Sequence, residues 1–146
     1  MRTVLVLMDT LRRDALGCYN PEGAAQTPCL DAFAQDSVVF DNHWIGSAPC
    51  MPARRDIMCG RYNFLERPWG PVEPFDVTLV DGLRAGGTYT HIATDHCHYA
   101  RTGGEGYLQL FNTWELFRGQ EGDPWVSRID EPNNMPETFY GRVREQ

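Results

Sequence analysis

The sequence predicts an α/β protein, with a mostly parallel sheet sandwiched by helices. Two observations carry that prediction. The apolar run VLVLM at 4–8 has both faces apolar, as a strand buried inside a parallel sheet requires. Further on, strand-like runs alternate with helical ones, and alternation of this kind builds a sheet covered by helices.

The elements follow in chain order. The run at 4–8 ends at Asp9, which places that carboxylate at the carboxyl end of a strand, where open α/β sheets put their ligands. Residues 10–17 read as a turn or short helix. Thr27-Pro28 is a helix start, with Thr as N-cap and Pro in the first turn. Leu30, Phe33 and Ala34 then share one face. Residues 38–44 are β-branched and aromatic and predict a strand. A helix is expected over 52–59, with Gly60 as its C-cap. Another is expected from Leu79 to Ala85, stopped by Gly86-Gly87 and leading into a strand at 89–94. Residues 101–136 are rich in Gly, Pro and aromatics and show no clean period. A helix could begin at Pro136. The region 101–146 is expected to be irregular, its aromatics Tyr107, Phe111, Trp114, Phe117 and Trp125 serving as packing.

Composition narrows the function. The 146 residues allow one ordinary domain. A net charge of −7 argues against nucleic acid or an anionic membrane as the main partner. Five cysteines, an odd number without paired spacing, argue against a disulfide framework. The opening apolar run is too short for a signal peptide or a membrane span. A reducing, cytoplasmic setting is expected.

Three pieces carry chemistry: Asp9-Thr-Leu-Arg12-Arg13-Asp14, then Cys50-Met-Pro52-Ala-Arg54 with Gly60-Arg61, then Asp95-His96-Cys97-His98. Cys50 is expected at a helix N-terminus, where backbone N–H groups and the helix dipole favour an anion. Arg54, one turn on, presents a planar fork suited to oxyanions. Asp9 can hold a divalent cation. If 96 and 98 continue a strand, both histidines face one side and can bind or protonate one ligand. The expected pocket takes an oxygen-rich anion.

Each piece has a plainer reading. Asp9 could cap a turn, and Cys50 alone could be an inert thiol. Cys18, Cys29 and Cys59 read as fillers. Arg55 and Arg61 could be solvated or paired with Asp56 and Glu66. A zinc site at His96-Cys97-His98 is disfavoured, because strand alternation would turn Cys97 away and no CxxC partner exists. The GGEG at 103–106 is a turn rather than a nucleotide fingerprint. An aspartyl-phosphate phosphatase would want a carboxylate two residues after Asp9, where Leu11 stands.

The segments CMPAR and CGR resemble the sulfatase signature, Cys-x-Pro-x-Arg followed by Gly-Arg. The stretches VLVLMDTLRRDALGCYN and TPCLDAFAQDSVVFDNHW are similar to the opening of the same family, in the branch reading Asp-x-x-Arg-x-Asp. The resemblance covers residues 1 to about 125. It implies an alkaline phosphatase-like fold, with 1–146 as a partial sulfatase-type domain. It implies that Cys50 is converted to formylglycine by a formylglycine-generating enzyme. One hydroxyl of the hydrated aldehyde then attacks a sulfate ester, and loss of the second hydroxyl's proton expels sulfate. Asp9 and Cys50 would be metal ligands, and Ca²⁺, Mn²⁺ or Mg²⁺ the cation, with Ca²⁺ preferred. Arg54 would steady the nucleophile, His98 would act on the second hydroxyl, and His96 would contact substrate.

The chain departs from the pattern in three ways. His96 stands where the family carries lysine. Thr10 replaces the second Asp of the double-Asp branch, which opens phosphate or phosphonate esters as substrates. The family's later ligands have no match, so the isolated chain is expected to bind metal weakly and turn over slowly or not at all. A non-catalytic remnant of the fold is the remaining alternative. The partners implied are a small-molecule sulfate, phosphate or phosphonate ester and the modifying enzyme, with homo-oligomerisation open.

Overall fold

A computed structural model describes residues 2–119 and Asp123. The expected helix from Pro136 and the packing of Trp125 lie outside the described residues. The chain divides into two units, Met1–Trp69 and Gly70–Gln146.

The first unit holds two helices. α1 is Pro28–Gln35 and α2 is Cys50–Cys59, with short 3-10 turns at Arg13–Ala15 and Asn63–Leu65. α1 starts where Thr27-Pro28 predicts. Thr27 does not cap it through its side chain. Its hydroxyl accepts from the Gly17 amide at 2.8 Å and donates to Asp31 Oδ1 at 3.0 Å, tying the preceding loop to the helix. α2 begins two residues earlier than expected, at Cys50, and stops at Gly60, whose φ of 65° is the left-handed conformation glycine adopts at least cost.

Two expected strands are corrected here. Residues 4–8 and 38–44 form no strand among the described residues. Val4 is 82% exposed and Met8 47%. Apolarity on both faces predicts a buried strand only when neighbours on each side supply ladder hydrogen bonds and helices supply cover.

The second unit contains α3, Leu79–Ala85, and two strands, β1 at His91–Thr94 and β2 at Thr113–Leu116. α3 matches its expected bounds. Its start is secured by a reciprocal capping box. Thr78 Oγ1 accepts from the Asp81 amide at 3.1 Å, while Asp81 Oδ2 accepts from the Thr78 amide at 3.0 Å. β1 falls within the predicted 89–94, and β2 lies in the stretch where no period was visible. The pair is parallel, with His91 opposite Thr113 and Thr94 opposite Leu116. Asn112 fastens the near end: its Oδ1 accepts from both the amide and the hydroxyl of Thr90, each at 2.9 Å. The parallel pair and the three helices give the mixed α/β architecture the sequence implied. Among the described residues no helix is long and apolar enough to cross a membrane.

Candidate active site

In the first unit, three of the expected residues are linked through α2. Cys50 is the first residue of the helix and is half-buried. Pro49 occupies the N-cap and offers no side-chain hydrogen bond, while its carbonyl accepts from the Ala53 amide at 3.1 Å. Arg54 lies one turn further along, on the face of Cys50, and is 8% exposed. Its Nη2 donates to Asp9 Oδ2 at 2.9 Å. The carboxylate at the end of the 4–8 run is thereby attached to the helix that carries Cys50.

The backbone just after Asp9 is unusual. Thr10 has φ 62°, a left-handed conformation rare for a β-branched residue. Its hydroxyl donates to Asp9 Oδ1 at 3.3 Å. Strained residues of this kind cluster at sites where a side chain must be aimed. Nothing in the sequence pattern signals it.

Arg12 donates to Asp14 through Nε at 2.9 Å and through Nη2. That bond holds the Asp14 carboxyl below its ordinary range and raises the Arg12 guanidinium. Both are well exposed, and with Arg13, Tyr19 and Asn20 they line an open cavity of about 380 Å³. Arg13 turns away, onto the Asp41 carbonyl at 2.9 Å and over the Tyr19 ring. Arg55 is not solvated: it is 1% exposed and reaches Glu66 at 2.8 Å. Arg61 reaches Glu66 as well.

In the second unit, His96 and His98 do not lie on a strand, which corrects the alternation argument. β1 ends at Thr94, and a 3-10 turn runs from Cys97 to Ala100. The two rings still come together, with centroids 5.0 Å apart. His96 is buried and meets Tyr99 edge-on at 5.1 Å, and Tyr99 stacks on Tyr107 at 4.9 Å. Tyr107 is fully buried, as a packing residue should be, whereas Trp114 and Phe117 are about half exposed. The glycine turn closes tightly below the histidines. A Cβ on Gly104 would stand 1.8 Å from the His98 carbonyl oxygen. Gly103 and Gly106 carry positive φ, as the turn reading of GGEG requires.

The donor chemistry at Asp9 suits a hard divalent cation. An ionised carboxylate offers about four acceptor positions. Its oxygens accept from Arg54 and Thr10 among others, and the side chain is 36% exposed.

Comparison with known proteins agrees with the chemistry. The family model described as Sulfatase matches residues 2–131. A curated relative, an ulvan-active sulfatase from Formosa agariphila, is 39% identical over 46 residues, or 32% of this chain. That match spans 9% of the relative's length. No solved structure matches. A family match over most of the chain establishes that this chain belongs to the sulfatase family.

Proposed function

We propose that the protein is, or forms part of, a sulfuric ester hydrolase whose nucleophile is formylglycine made from Cys50. The supporting observation is the linkage at α2: Cys50 opens the helix, and Arg54, one turn on, holds Asp9 at 2.9 Å. The aldehyde made from Cys50 supplies an oxygen nucleophile, and a divalent cation supplies Lewis acidity. Asp9 is the proposed oxygen ligand, with Ca²⁺ preferred over Mn²⁺ or Mg²⁺, and position 50 the second ligand. Arg54 places fixed positive charge beside position 50, where negative charge develops. His98 is the proposed acceptor of the proton whose loss releases sulfate, and His96 the proposed contact to the ester group. The odd cysteine count underlies the proposed reducing, cytoplasmic setting.

A second reading, a phosphate or phosphonate ester hydrolase, is favoured by Thr10, which puts a hydroxyl where the double-Asp branch has a carboxylate. A site with one negative charge fewer tolerates a more highly charged ester.

Co-expression with a formylglycine-generating enzyme tests the central claim. The Cys50 peptide should lose roughly 18 Da on conversion of thiol to aldehyde. An unmodified cysteine under those conditions counts against the proposal. Released sulfate and phosphate, assayed on matched aryl esters and on ulvan, separate the two readings. Calorimetric titration of Ca²⁺, Mn²⁺ and Mg²⁺ into the wild type and Asp9→Asn tests the ligand independently of turnover. Absence of binding to both would favour a non-catalytic remnant.

A further inference from the structure

α2 begins without a capping side chain, so something else must fix the chain that enters Cys50. The entering segment is Gly46-Ser47-Ala48-Pro49. Ser47 is 2% exposed, deep for a hydroxyl residue. Its Oγ donates to Asp56 Oδ1 at 2.9 Å and accepts from the Phe64 amide at 3.2 Å. The same Asp56 oxygen accepts from the Asn63 amide at 2.7 Å. Asp56 stands on α2 itself. One carboxylate oxygen therefore joins the middle of the helix, the segment before its first residue and the turn at Asn63–Leu65. Gly46 is drawn in so closely that an added Cβ would lie 2.5 Å from Asp56 Oδ2 and 2.7 Å from the Tyr62 ring.

The second Asp56 oxygen, Oδ2, is buried and accepts no hydrogen bond from the described residues. A buried acceptor left unmet costs stability. We infer that Asp56, acting through Ser47, is a positioning residue that sets the placement of Cys50 at the helix tip. The inference rests on Cys50 being the reactive residue proposed above. It concerns only how that residue is held.

The test compares Asp56→Ala with Asp56→Asn. The Asn variant keeps an Oδ1 acceptor for Ser47 and Asn63, and the Ala variant keeps none. The readout is iodoacetamide alkylation of unmodified Cys50 in the full chain, followed by mass spectrometry. Cys59, at the far end of the same helix, is the internal reference. Asp56→Ala should raise the Cys50:Cys59 rate ratio by about tenfold, because the entering segment opens when its anchor is lost. Asp56→Asn should stay within about twofold of the wild type. An equal ratio in the Ala variant and the wild type, both folded by circular dichroism, would overturn the inference. So would an Asn variant that behaves like Ala. If Asp56→Ala does not fold, Ser47→Ala removes one donor from the same oxygen and should shift the same ratio in the same direction. Because the ratio is read on the thiol, a failure of formylglycine conversion overturns the proposed function and leaves this result standing.

Discussion

Arg54 Nη2 lies 2.9 Å from Asp9 Oδ2, across 45 residues of sequence. Arg54 is buried and Asp9 about one-third exposed, so solvent screens part of the attraction. A double-mutant cycle with Asp9→Ala and Arg54→Ala should give a coupling of about 1 kcal/mol in urea unfolding. Additive single changes would show that the contact contributes nothing to stability.

Gly104 and Gly82 should respond oppositely to alanine. At Gly104 the new Cβ would run into the His98 backbone, and Gly104→Ala should lose about 2 kcal/mol or more. Gly82 lies inside α3 with nothing within 4 Å of the added carbon. Gly82→Ala should gain about 0.5–1 kcal/mol by restricting the unfolded chain. Thermal unfolding of the two variants beside the wild type checks both signs.

The capping box at α3 gives a third expectation. Thr78 is 3% exposed, and its hydroxyl serves the Asp81 amide. Thr78→Ala should cost about 1 kcal/mol, and Thr78→Ser should recover most of it. Denaturant midpoints decide. A Ser variant as weak as Ala would mean that the methyl group, not the hydroxyl, carries the effect.

Asp123 offers a pH test. The hydrogen bond from Arg118 holds its carboxyl at about 2, against an ordinary value of 3.8. The folded value lies below the unfolded one. The bond's contribution is therefore complete above about pH 4 and is lost as pH falls toward 2. In an NMR titration Asp123 should titrate near 2 in the wild type and higher in Arg118→Ala, where the Gly119 amide still lowers it. Equal midpoints in the two proteins would remove Arg118 as the cause.

Local punctuation was the legible part of the sequence. Pro28, Gly60 and the Gly86-Gly87 pair bound their helices as expected, because proline and glycine act through their own backbone geometry. Pairing was not legible in the same way. The VLVLM run has strand composition but no ladder among the described residues, while TWEL at 113–116 has little pattern and is paired. Its partner is chosen by long-range register, which no window of sequence contains. At the candidate site, the residue types of Asp9, Cys50 and Arg54 were readable. The Thr10 backbone and the Ser47–Asp56 anchor were not, since both depend on segments meeting across intervening chain.

The uncovered VLVLM run affects how the protein behaves on the bench. Five consecutive apolar side chains stand between 47% and 82% in solvent. Such a tract is a template for intermolecular strand pairing, and no charge or proline interrupts it. Preparations of the chain will therefore tend toward concentration-dependent association. Val6 lies three residues before Asp9, the run's point of attachment to α2, and replacing it with lysine should suppress that tendency.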